Sequence, residues 1–186
     1  MRVSRQQAAE NRQRIVETAS RLFRDRGFDG IGVDAIMAGA GLTHGGFYGH
    51  FASKEALAAE AVAQAIGRST AWQSRLTSLA DLVSEYLSPR HRADRGNGCP
   101  VAALGADAAR QGRQVRRTLA TGVRGQIDRI AALLKRGTPA ARRRRAIATY
   151  AGMVGALMLA RAVDDPSLAE EILAAAREAF ARETSA

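Results

Sequence analysis

Four prolines, at positions 89, 100, 139 and 166, constrain this chain more than any other feature. Inside a helix a proline removes a hydrogen bond and clashes with the preceding turn, so each one marks a boundary. None of them interrupts an apolar stretch of helical period, and they therefore read as seams between helices. Upstream, Ile15, Ala19, Leu22 and Phe23 recur at helical spacing until Gly27 stops the pattern, which predicts a first helix over about 7–26. Val33, Ile36 and Met37 form a short second segment ended by Gly39-Ala40-Gly41, after which Thr43 can cap a third short helix running through Phe51. Ser53 is a candidate N-cap, with Glu55 in the first turn, for a long helix over about 54–72. Further helices are expected at roughly 75–87, 100–110, 113–136, 140–163 and 167–182, with RHRADRGNG at 90–98 as the long irregular stretch. Alternating β patterns are missing. The expected fold is all-α, with three small helices over residues 1–53 leading into a larger helical bundle over 54–186.

The 186 residues suit one compact unit, or a small module attached to a bundle. A formal charge of +10 points to a polyanionic partner. That charge is spread: residues 1–54 hold eight Arg or Lys against five acids, and the remainder holds twenty against thirteen. The cluster Arg142 to Arg145 reads first as a solvated helix face. No apolar run reaches the roughly 18 residues of a membrane span. The basic, polar start MRVSRQQAAENRQR is not followed by an apolar segment, so a cytoplasmic protein without a membrane partner is expected. A single cysteine, Cys99, excludes an intramolecular disulfide and a zinc site built from several thiolates.

The stretch LTHGGFYGHF, residues 42–51, concentrates two histidines, three glycines and three aromatic rings. His44 and His50 are six apart and so diverge on a helix, which argues against a metal site. His44 also stands where a G-x-G-x-x-G loop would need its third glycine, and no strand precedes the segment, which argues against a nucleotide cradle. A helix lying against a large surface accounts for more. Phe47 and Phe51, four apart, share a face that can anchor it, while Gly45 and Gly49, flanked by Gly46 and Tyr48, leave the opposite face almost bare. Each glycine costs about 1 kcal/mol of helix propensity relative to alanine, a cost best understood if another surface must come close. With VDAIMAGAG as first helix and turn, the segment reads as a helix-turn-helix, a unit that reads the DNA major groove.

Residues 12–57 resemble the N-terminal DNA-binding domain of the TetR/AcrR family of transcriptional regulators. The landmarks are Ile15, Ala19 and Phe23, the Gly27-Phe28 turn, Ile36, the Ala40-Gly41-Leu42 turn, Tyr48, His50-Phe51 and Ser53-Lys54-Glu55 with Leu57. The resemblance implies that the third helix enters the major groove of double-stranded operator DNA, with Thr43, His44, Tyr48, His50 and Lys54 touching phosphates or base edges. Gly45 and Gly46 belong to the same face. The chain departs from the family at Gly32, where a serine or threonine ordinarily caps the second helix and contacts a phosphate. With so few side chains on the face, specificity is expected to lean on His44, Thr43, an Arg2/Arg5 arm and DNA shape.

The same resemblance implies a homodimer through the last two helices, whose sequences AIATYAGMVGALMLARAV and LAEEILAAAREAF are rich in small residues. It also implies a small-molecule effector bound among the middle helices, where Trp72, Tyr86, Leu104, Tyr150 and Met153 are of pocket-lining type. Cys99 precedes Pro100, which suits a helix start, so its thiol is expected at a helix N-terminus and to gain reactivity there, aided by Arg92 or Arg95. Some branches of the family sense electrophiles or oxidants through a cysteine in this helix. The expected function is a ligand-responsive repressor without cofactor or metal, released from a palindromic operator by a small-molecule or electrophilic effector. The alternatives are a nonspecific DNA-binding protein and, remotely, a thiol-dependent enzyme using Cys99 and His91, for which no strand scaffold, triad or cofactor loop is visible.

Overall fold

The computed structural model describes residues 4–182; the proposed Arg2 contact lies outside them. The elements are α1 (Arg5–Arg26), α2 (Val33–Gly39), a 3-10 helix (His44–Gly49), α3 (Lys54–Gln73), α4 (Leu79–Tyr86), α5 (Pro89–Ala93), α6 (Pro100–Ala108), α7 (Arg113–Leu133), α8 (Pro139–Ala162) and α9 (Pro166–Arg182). No strand occurs among the described residues, and no helix there is long and apolar enough to cross a membrane.

All four prolines are the first residue of a helix, where the missing N–H would have had no partner. Serine and threonine supply the rest of the punctuation. Ser4, Ser53, Ser78, Ser88 and Thr138 are N-caps whose hydroxyls accept from the backbone N–H of Gln7, Ala56, Asp81, His91 and Ala141. Each such cap contributes roughly 0.5–2 kcal/mol. Gly27 ends α1 at φ 76°, donating its N–H to the Phe23 carbonyl, and Gly41 makes the turn after α2 at φ 70°. Side chains other than glycine rarely adopt that left-handed region.

Two expectations change in detail. The segment after Thr43 is a 3-10 helix rather than an α-helix, and the Thr43 side chain makes no capping bond. The irregular stretch 90–98 is shortened by α5, which the Ser88 cap and Pro89 initiate.

Two apolar clusters fill the molecule. One joins Ile15, Ala19 and Phe23 of α1 to Ile36 and Met37 of α2, Phe47 and Phe51, Leu57 and Val62 of α3, Leu104 of α6 and Val115 of α7. The other holds Leu82, Val83 and Tyr86 of α4, Cys99, Ile130 of α7, Tyr150, Met153 and Leu157 of α8, and Leu173 of α9. Helix α3 packs on α1 and on α7, α7 packs on α8, and α8 packs on α9. Close crossings use glycine: a Cβ on Gly122 would meet Ile66 of α3, and one on Gly152 would fall on the Phe180 ring of α9.

Gly152→Ala should therefore lower the denaturation midpoint by the equivalent of about 1–3 kcal/mol, the usual cost of overpacking. Gly125→Ala, on α7 with nothing near the added methyl, should raise it by roughly 0.5–1 kcal/mol through helix propensity alone. Urea titrations of both variants check the pair.

Candidate nucleic-acid interface and sensing pocket

The 3-10 helix is fastened from behind by its phenylalanines. Phe47 and Phe51 are buried and stacked at 5.8 Å. The Arg12 guanidinium lies 4.5 Å over the Phe51 ring and pairs with Glu60 of α3 at 2.5 Å, tying α1, the short helix and α3 together. The outward face is bare. A Cβ on Gly45 or Gly49 would meet nothing within 4 Å, and one on Gly46 only the end of Met37 at 3.7 Å. Nothing inside the protein therefore requires Gly45 or Gly49.

The side chains expected to touch DNA differ in their exposure. Thr43 and His44 are exposed, and Tyr48, 71% exposed, meets Phe47 only edge-on. His50 and Lys54 are half-buried, with Lys54 the first residue of α3. The His44 Nδ1 pairs with the Asp34 carboxylate of α2, a contact that sequence spacing does not reveal. At Gly32, the N-cap of α2, no side-chain cap exists, as the departure from the family pattern implies. Arg5 is exposed at the start of α1.

The residues expected around an effector separate into two groups. Trp72 and Cys99 line a cavity of about 230 Å³ together with Arg68, Glu85, His91 and Asp94. Cys99 and Tyr150 line a smaller cavity of about 20 Å³ with Gln73 and Gln126. Tyr86, Leu104 and Met153 instead are sealed in the apolar clusters. Leu104 points to the α1 side because α6 runs between the two clusters. Pocket-lining and core residues are the same types, so sequence could not sort them. The polar residues Gln73 and Gln126 had no sequence signal. Both are buried, and Gln73 Oε1 and Gln126 Nε2 have no hydrogen-bond partner. An orphaned amide in a cavity is a group left for a ligand or a water.

Cys99 is the N-cap of α6, as Pro100 suggested, and is 5% exposed. Its Sγ lies 3.8 Å from the Tyr150 hydroxyl. The expected help from arginines takes another form: Arg92 donates to the Ala160 carbonyl and Arg95 to the Arg161 carbonyl, so both serve the end of α8. Burial pushes the Tyr86 and Tyr150 phenols well up, so both remain neutral beside the thiol.

His91 organises this region. Its Nδ1–H donates to the Tyr86 carbonyl at 2.6 Å, and its Nε2 accepts from the Cys99 N–H at 2.9 Å. The ring is therefore neutral and clamps the end of α4 to the start of α6. Beyond it, loop 94–98 reaches α1: the Arg24 side chain, only 4% exposed, donates Nε–H to the Gly96 carbonyl at 2.6 Å. Burial, then the charge of Arg68, lowers the Arg24 pKa to about 10, well above neutrality, so it remains a cation.

Among the described residues no group of three or more His, Cys, Asp or Glu could hold a metal ion. A short helix fixed behind and bare in front, preceded by α2 and a glycine turn on the support of α1, is a helix-turn-helix, joined here to a helical bundle. Residues 15–61 match the family model described as bacterial regulatory proteins, tetR family. The repressor DhaR of a Mycobacterium strain is 47% identical over 45 residues, 24% of this chain and 23% of that protein. Matched segments span between 21% and 35% of the curated relatives' lengths. Two solved structures share the whole fold. A TetR-family regulator from Cytophaga hutchinsonii has a TM-score of 0.78 at 19% identity, covering 97% of each chain. The reduced form of E. coli NemR has a TM-score of 0.72 at 24% identity, covering 91% of this chain and 96% of that one. Residues 15–61 are thus the module that the tetR-family model describes, and the likeness of the remaining chain to the solved structures is one of fold.

The His91 clamp carries a pH signature. Burial, the largest influence, and the charge of Arg161 lower the His91 pKa; the Tyr86 carbonyl and Asp94 oppose them more weakly, and Arg90 adds to the lowering. A base depressed in the folded state contributes stability that is complete above the ordinary histidine value, about 6.5, and lost as pH falls from there to the lowered value. Urea midpoints measured at pH 7.5 and 5.5 should fall more for the wild type than for His91→Gln.

Proposed function

We propose that the chain is a repressor that binds a palindromic operator as a homodimer and leaves it when an effector occupies the bundle, with residues 1–53 as the reading part and 54–186 as the sensing part. The observation that carries the DNA-binding reading is the face of the 3-10 helix, where glycines that the protein's own packing does not need stand beside the exposed Thr43, His44 and Tyr48. Such a face lets backbone approach a groove wall. The half-buried Lys54 and the exposed Arg5 would take phosphates on either side. The outer face of α8, with Ile147, Gly155 and Leu159, and the exposed Leu168 of α9 give the dimer its apolar contact.

For the effector we infer entry through the 230 Å³ cavity, with Trp72 as its aromatic wall; Gln73 and Cys99 line both this cavity and the smaller one that holds Gln126. Loop 94–98 is the link to DNA. Asp94, Asn97 and Gly98 line the cavity, while the carbonyl of Gly96 between them holds Arg24 of α1. A ligand that displaces this wall acts directly on the helix that supports the reading head, and shifts the population away from the DNA-bound spacing. Cys99 lines both cavities, so an electrophile inside meets its thiol. With a quinone, an S–C bond forms at a ring carbon, the thiol proton passes to one ring oxygen and the proton of that carbon to the other, giving the hydroquinone thioether.

Footprinting on the DNA upstream of the coding sequence tests the reading. Two protected half-sites related by a dyad are expected, whereas uniform, salt-sensitive coating would make the protein a nonspecific binder. In gel shifts, p-benzoquinone should release wild-type protein from that site and leave Cys99→Ser bound; equal release of both removes Cys99 from the mechanism.

A further inference from the structure

The reading face carries one polar contact that the fold does not need. His44 opens the 3-10 helix, Asp34 is the second residue of α2, and the His44 Nδ1 meets the Asp34 carboxylate although both side chains are largely in solvent. An exposed pair of this kind adds little stability. Its effect is chemical. A carboxylate only accepts hydrogen bonds, so it holds the proton of the neutral imidazole on Nδ1 and leaves Nε2 as a lone pair.

In the major groove the hydrogen-bond donors are exocyclic amines, N6 of adenine and N4 of cytosine, whereas guanine N7 and O6 and thymine O4 are acceptors. We propose that Asp34 is a positioning residue that fixes the tautomer of His44, so that Nε2 accepts a hydrogen bond from an adenine N6 or cytosine N4 amine in each half-site. The assignment rests on the DNA-binding reading above. It makes α2, through Asp34, a determinant of sequence preference. On the 3-10 helix itself, Gly45, Gly46 and Gly49 offer no side chain, and Tyr48 is the other exposed polar group.

The test is selection from randomised duplexes by the full-length wild type, His44→Ala, Asp34→Ala and Asp34→Asn, with circular dichroism showing each variant folded. The wild type should enrich one base pair at one position of each half-site, and the amine of that pair is the group His44 takes. That preference should fall roughly ten-fold in His44→Ala and Asp34→Ala, in line with the loss of one base contact. Asp34→Asn retains a carbonyl acceptor for Nδ1–H and should keep it. Replacing the selected adenine by purine, or the cytosine by 2-pyrimidinone, deletes only the amine and should weaken the wild type by a similar factor while leaving His44→Ala unaffected. Wild-type affinity unchanged when the amine of the selected pair is deleted, or an Asp34→Ala profile equal to wild type, overturns the assignment while leaving specific DNA binding intact. Failure of the wild type to enrich any sequence overturns the DNA-binding reading itself.

Discussion

Burial of helix α3 on both sides is the constraint on which the molecule depends. Its first half gives Leu57, Ala58, Ala61 and Val62 to the cluster that holds α1, α2 and the phenylalanines of the 3-10 helix. Its other side packs along α7, with Gly122 cut away to admit Ile66. The N-terminal cluster also takes Leu104, Ala108 and Val115 from beyond residue 100. The first of the two clusters therefore runs from α1 to α7, across residue 53, and close-packed interiors transmit displacement rather than absorb it.

The 3-10 helix sits at the edge of this interior and spends its sequence in two directions. Its phenylalanines face inward, and Arg12 seals them by lying on Phe51 while paired to Glu60. Its glycines weaken it as an isolated element, so its conformation depends on what it is docked against. That explains the tighter winding: six residues between the Gly41 turn and the Ser53 cap are held by the Phe47 and Phe51 anchors, with the N–H of His50 and that of Phe51 both returning to the Phe47 carbonyl. Whether a turn closes on the third or the fourth residue is decided by such docking, which local sequence does not carry.

Legibility followed the range of the interactions. Prolines, caps and apolar periods act within a few residues, and they placed nearly every long helix within a few residues of its observed ends. The bare face of LTHGGFYGHF was equally readable, because phenylalanine anchors and glycines are both local. What remained hidden joins distant positions: Arg24 to Gly96, 72 residues apart, Cys99 to Tyr150, 51 apart, and Asp34 to His44 across a turn. Leu104 and Met153 could not be told from pocket walls for the same reason, since a leucine or methionine has one chemistry in a core or a cavity. Arg92 and Arg95 lay close to Cys99 in sequence yet turned to carbonyls of α8.

Arg24 gives loop 94–98 a property that its exposed polar sequence does not advertise. The guanidinium is a cation already stripped of most of its water, and the Gly96 carbonyl is one of the few groups compensating it. Moving that carbonyl part of the way leaves a buried charge short of a partner, at a cost of several kcal/mol, while moving it fully lets solvent or another acceptor replace it. Intermediate positions are therefore the least favourable ones. The bond thus ties loop 94–98 to α1, and a displacement that breaks it without offering another acceptor strands a buried cation.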